Sequence, residues 1–153
     1  MKDKVKNPRF DAQTQSMLDE LLTLDKRDAL KWALDVAERT LDRFEIIAPE
    51  DPRPRTCITL GRQWLTEVVP FKLIRTSALA AHAAARSVED PYAIAAARAC
   101  GHAIATIHVQ THCIGAAIYG LKACRNESER LIERVWQIQH LKDIKESVDH
   151  YEK

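Results

Sequence analysis

Glycine is scarce in this chain, four residues in 153, and proline adds only six, three of them crowded between Pro49 and Pro54. Segments in which apolar and polar residues alternate, the mark of a half-buried strand, are almost missing. No charge predominates: 23 Lys and Arg face 22 Asp and Glu, a net charge of +1, and the signs are mixed along the chain. A dedicated nucleic-acid binder would carry a basic stripe and a nucleic-acid mimic an acidic one, so neither is expected. Cys57, Cys100, Cys113 and Cys124 show no C-x-x-C spacing, and Met-Lys-Asp-Lys-Val-Lys at the start has no apolar core for a signal peptide. A cytoplasmic protein with reduced thiols is the expectation. The window from Ala103 to Leu121 lacks Asp, Glu, Lys and Arg but holds two His, a Gln and two Thr. It reads as a buried helical run and not as a membrane span. There is no phosphate-binding loop, nucleophile motif, paired-carboxylate site or H-E-x-x-H, and no cofactor is expected.

What the chain does have is alanine. From Ala78 to Ala123, 16 of 46 residues are Ala, and only Arg86, Glu89, Asp90, Arg98 and Lys122 are fully charged. Alanine has the best intrinsic helix propensity and loses no side-chain entropy on ordering. The chain length suits one core. The expected fold is therefore all-α: a single domain over residues 1–153, a bundle of about six or seven helices with an Ala-rich central pair. Residues 1–10 and 142–153 are expected to fray.

Punctuation places the helices. A weak first helix spans about Asp11 to Leu24, with Met17, Leu18, Leu21 and Leu22 on one face. Asp25 caps a second, in which Leu30, Ala33, Leu34, Ala37, Leu41 and Phe44 recur at helical spacing. Its opposite face, Lys31, Asp35, Glu38, Arg39, Asp42 and Arg43, reads as solvated ion pairs. Ala48 to Arg55 is expected to be a stiff Pro-rich linker. A third helix then runs from about Arg55 to Val68 with Trp64, and Pro70 ends it or opens a fourth reaching to about Val88. Asp90 and Pro91 form an N-cap and first-turn pair. The run they start could reach Cys124, but about 50 Å of helix is too long for this domain, so a break is expected between Val109 and Gly115. Asn126 with Glu129 resembles a capping box for a last helix bearing Leu131, Val135, Trp136 and Ile138.

Few polar groups interrupt the alanines, and those few are the candidate site. On one continuous helix, with Arg98 at zero, His102 falls near +40°, His112 near −40° and His108 near −80°, all within about 120° of one face. About 21 Å separates Arg98 from His112 along such an axis, so the four cannot share one ion. Only His108 and His112, at i and i+4, have metal-pair spacing, and they would need a further ligand such as His82 or Cys113. The simpler reading is histidines bonded to neighbouring helices or forming a contact surface. Arg53 and Arg55, held apart by Pro54, suit either carboxylates of this same chain, the favoured reading, or a carboxylate on a partner. Trp32, Trp64 and Trp136 read as core anchors, and the cysteines as small buried hydrophobes. Ala97, Gly101 and Ala105 present a small-residue groove for another helix.

Taken in order, Trp32 in a helix ending at Phe44-Glu45, Asp51-Pro-Arg-Pro-Arg55, the Trp64 helix, Ala80-Ala-His-Ala-Ala-Ala-Arg86, Ala96-Ala-Arg-Ala-Cys-Gly-His102, Thr106-Ile-His-Val-Gln-Thr-His112 and Ala116-Ala-Ile-Tyr-Gly-Leu-Lys122 resemble the immunity proteins of the immunity-five-like domain family, associated with bacterial polymorphic toxin systems. The resemblance spans roughly Ala29 to Trp136. It implies an all-helical fold and, by association, a non-enzymatic protein that neutralises a cognate toxin by direct binding, with no catalytic residue carried over. Arg53, Arg55, Arg98, His102, His108 and His112 are then the candidate binding surface, with no nucleic-acid or membrane partner and with self-association left open. Two alternatives stand beside it: a small metal- or His-dependent enzyme using His108 and His112, and a helical accessory or oligomerisation module.

Overall fold

In the computed structural model, which describes residues 11–152, every regular element is helical. The expected fraying of residues 1–10 lies outside the described residues. In order come α1 (Ala12–Leu21), α2 (Lys26–Glu38), α3 (Asp42–Ile47), α4 (Arg53–Trp64), α5 (Phe71–Arg86), α6 (Pro91–Ala105), a 3-10 turn (Gln110–His112), α7 (Cys113–Lys122) and α8 (Glu127–Glu152). The architecture is the expected all-α bundle. No helix among the described residues is long and apolar enough to cross a membrane.

Side-chain capping sets several of the boundaries. Asp11 accepts the Thr14 amide, Asp25 the Arg27 amide, and Asp90 the amides of both Tyr92 and Ala93, each satisfying donors that the first helical turn leaves unpaired. Asn126 accepts the Glu129 amide at 2.9 Å, while Glu129 reaches back to the Arg125 amide at 2.8 Å, a capping box displaced by one residue at its return arm.

Helix α6 is the centre. It packs most extensively on α5 and α7 and also touches α2, α3 and α4. Nine of its 15 residues are buried, seven of them Ala or Gly. Small side chains let several helices reach one axis, and the bulk is supplied from outside by Trp32, Leu30, Leu34, Phe44, Ile58 and Ile74. Trp32 also donates its indole N–H to the Gln137 carbonyl, tying α2 to α8. Trp64 and Trp136 are only half-buried, capped by the guanidiniums of Arg27 and Arg39.

Several boundaries differ from expectation, among them the end of the Trp64 helix, at Trp64 and not Val68. The anticipated second helix pauses at residues 39–41 and resumes as α3 in the same apolar register. The Pro-rich linker is shorter, because Arg53, Pro54 and Arg55 form the first turn of α4. Proline fits there, since the amides of a first turn have no intrahelical acceptor. The break in the long Ala-rich run begins at Thr106, earlier than Val109. Thr106, Ile107 and Val109 are β-branched and lower helix propensity together. Outside contacts hold the turn: Lys26 donates to the Ile107 carbonyl at 3.0 Å, and Gln110 donates to the carbonyls of Leu21 and Leu24.

The last helix presents itself unexpectedly. Glu133, Arg134 and Gln137 face inward, while Leu131, Ile132 and Val135 are exposed. Waiting partners explain the inward polar groups: Arg39 for Glu133, Thr14 for Arg134 and the Ala117 carbonyl for Gln137. Further along, Leu141 and Ile144 are buried and Lys145 pairs with Glu20, within a helix that continues to Glu152.

Candidate interaction surface at the histidine cluster

The chain reversal at residues 106–112 folds α7 back against α6 and so rearranges the histidine stripe. His102 meets His112, Nδ1 to Nδ1, at 3.3 Å, and its ring stacks on Tyr119 with centroids 5.1 Å apart. His82, from α5, meets His102 edge-on at 5.3 Å and accepts a hydrogen bond at Nδ1 from Arg98. Because a guanidinium only donates, His82 carries its proton on Nε2. His102 and His112 share one proton between their facing nitrogens, one donating and the other accepting. Arg98, His82, His102, His112 and Tyr119 thus form one cluster.

His108 stands apart. Its ring lies against Phe71 of α5 at 5.3 Å. The residues between His108 and His112 form an extended position at Val109 followed by a 3-10 turn, so the helical i, i+4 spacing that would have paired them on a metal does not exist. Among the described residues no three His, Cys, Asp or Glu are placed to hold a metal ion.

Two glycines make the cluster possible. A Cβ on Gly115 would come within 2.5 Å of His102 Cγ, and one on Gly101 within 2.9 Å of His82 Nε2. The groove expected at Gly101 therefore receives an imidazole from α5. Burial holds the His102 imidazole down to about 4, helped by the positive charge that His82, His112 and Arg98 carry or can carry. Burial and then Arg98 and Arg86 lower His82 as well. Around neutral pH both rings are neutral hydrogen-bonding groups. The thiols are equally quiet: burial pushes Cys57 and Cys113 up to about 12, Cys124 up to about 11, and Cys100 well above its usual range. None has thiolate character at neutral pH.

Arg53 and Arg55 lie apart from this cluster, each paired with carboxylates of this same chain. Arg53 binds Asp51 at 2.7 Å, and Arg55 binds Glu45 at 2.6 Å and Glu38 at 2.9 Å. Arg62 shares Glu38 with Arg55 and binds Asp35, and Asp35 also meets His140 of α8. Of the charges read as solvated pairs along this face, Asp35, Glu38 and Arg39 are tied to α4 and α8, while Asp42 and Arg43 pair with each other.

The cluster opens on one side into a groove of about 560 Å³, lined by Phe71, Lys72, Arg75 and Leu79 of α5 and by His108 and His112. Phe71 and Leu79 are 63% and 61% exposed, while the other face of α5 packs into the core. The sequence reading missed these four α5 residues, and it weighed His82 only as a metal ligand. Their signal was present as a pattern: 71, 72, 75 and 79 share one stripe at i, i+1, i+4 and i+8.

A family model described as Imm-5 like putative immunity protein matches residues 19–144, taking in the bundle from α1 to α8 and every residue of the cluster. The chain belongs to that family. The match extends the resemblance read from Ala29 to Trp136 at both ends. No curated protein and no solved structure matches the chain.

Proposed function

We propose that this immunity-family chain is a non-enzymatic binding protein that neutralises a toxin by forming a direct complex with it, in the cytoplasm of a bacterium that carries both. Family membership supports an immunity role in general. The observation that carries the finer reading is the groove: apolar and cationic side chains converge on an open cleft, and the imidazoles of His82 and His102 behind it are neutral and bonded within the cluster. Arg98, His102 and His112 then act by shaping the wall of that surface, with His108 beside Phe71 at its rim. Arg55 holds α4 against α2 and α3, whereas Arg53 binds Asp51 just ahead of α4. The metal-enzyme alternative finds no support in geometry, since His108 and His112 turn to different neighbours.

Stoichiometry tests the proposal. A toxin encoded beside the gene is titrated with the purified chain, and its residual activity is followed. A binding inhibitor removes activity linearly up to molar equivalence and co-elutes with the toxin as a complex. Neutralisation by a few hundredths of an equivalent, or protection without a complex, would mean catalysis and would overturn the reading.

A further inference from the structure

We propose that the groove between α5 and the 106–112 turn is the docking site for an acidic, apolar-anchored segment of the partner protein, its carboxylates on Lys72 and Arg75 and an apolar side chain between Phe71 and Leu79. The proposal rests on the binding reading above and gives the chemistry of the surface that is bound.

Charge carries the first part of the argument. Between Phe71 and Lys122 the only carboxylates are Glu89 and Asp90, and α5, the 106–112 turn and α7 contain none. Lys72 and Arg75 are exposed and have no ion-pair partner among the described residues. Elsewhere the arrangement is opposite: Arg39, Arg53, Arg55 and Arg62 are all matched to carboxylates of this chain. Fixed cations beside a cleft with no carboxylate on its walls complement an anionic partner, and a like-charged one would be repelled.

Shape and apolar surface identify that partner as a protein. Phe71 and Leu79 stand about two helical turns apart, roughly 12 Å, with Lys72 and Arg75 between them in sequence. That alternation suits the face of a short amphipathic helix or strand, in which apolar anchors and acids are interleaved. A nucleic-acid backbone would ask for a longer series of cations and has no use for two flanking apolar side chains. The opposite wall is preformed, because Lys26 and Gln110 pin the turn and His102 fixes His112. A rigid wall lowers the ordering cost of binding.

The test uses a fluorescein-labelled amphipathic peptide of about four helical turns, with leucines at i, i+4 spacing and glutamates between them. The full chain should bind it saturably. Replacing every glutamate of the peptide by lysine, or every leucine by alanine, should weaken binding at least about tenfold, as should Lys72→Glu with Arg75→Glu or Phe71→Ser with Leu79→Ser in the protein. All four residues are exposed, so both double variants should melt with the parent. Hydrogen exchange on the unmodified chain removes any dependence on variants, since the bound peptide should protect amides of residues 71–79 and 105–112. Equal binding of the lysine peptide, no binding of the glutamate peptide, protection centred on α8, or displacement of the peptide by a tighter-binding RNA duplex would each overturn the proposal. Peptide binding here together with a failed toxin titration would instead overturn the immunity reading and leave the docking site standing.

Discussion

The two long sides of this bundle treat charge in opposite ways. On the side built from α2, α4 and α8, Asp35, Glu38, Arg39, Arg55, Arg62, Glu133 and His140 cross-link three helices distant in sequence. On the side built from α5, the 106–112 turn and α7, basic residues and imidazoles gather without carboxylates. Nearly equal totals of the two charges in the composition conceal this segregation. The difference teaches that the ionic groups on the first side are occupied in holding the fold, whereas Lys72 and Arg75 on the second are left available to something outside it.

The largest expected effect lies on the cross-linked side. Glu133 is 7% exposed and receives two hydrogen bonds from Arg39, at 2.8 and 3.0 Å, while the Arg39 guanidinium covers Trp136. Truncation strips a nearly buried acid from a partner that still reaches solvent, an intermediate case between exposed pairs, worth under about 1 kcal/mol, and buried ones, worth about 3–5. Glu133→Ala should therefore cost about 2–4 kcal/mol in urea denaturation, against less than about 0.5 for Lys72→Ala. Equal costs for the two would erase the distinction between the sides.

A smaller effect sharpens what lies behind the groove. In Gly115→Ala the new methyl meets the Cβ and Cγ of His102, atoms close to the backbone that cannot swing aside. Overpacking of this kind costs about 1–3 kcal/mol. Gly101→Ala meets only the far end of the His82 ring and should cost less. Denaturation of the two variants side by side measures this, and a Gly115→Ala variant as stable as the parent would show that His102 leaves its place readily.

Much of this was legible from residue types alone. Asp25, Asp90 and Asn126 announced their helix starts, because a cap is a local device whose partner lies two or three residues away. The Ala-rich core followed from propensity. The histidine cluster was legible only as a stripe: Arg98, His102 and His112 were named, but their geometry assumed an unbroken helix, and the turn at Thr106 replaced the His108–His112 pair by His102–His112. His82 and Tyr119 join from other helices, through contacts that no spacing within one helix encodes. Helix α8 misled for the same reason. Leu131 and Val135 look like core, yet the inner positions belong to Glu133 and Arg134, whose partners are about a hundred residues away in sequence, and to Gln137, whose partner lies on α7.

The smallest effect is the pH dependence of stability, and it asks whether the imidazoles behind the groove are neutral. The folded value for His102 is about 4, below the ordinary value of 6.5, with burial as the main cause. Between those values the unfolded chain binds more protons at this residue than the folded one, so stability rises with pH across that interval. The stability associated with neutral His102 is thus complete above about pH 6.5 and lost as pH falls toward 4. His82 is shifted in the same direction and adds to the slope. Asp11 and Asp51, whose folded values lie below the usual carboxylate range, also lose stability on acidification, but chiefly below about pH 4. His102→Asn keeps a polar group near the Nδ1 position and removes the titration. Urea midpoints measured from pH 4.5 to 7.5 should therefore fall less steeply in the variant than in the parent. Parallel curves would mean that His102 accepts its proton as readily in the bundle as in the unfolded chain. The cluster would then be a charged part of the basic surface and not the neutral wall behind it.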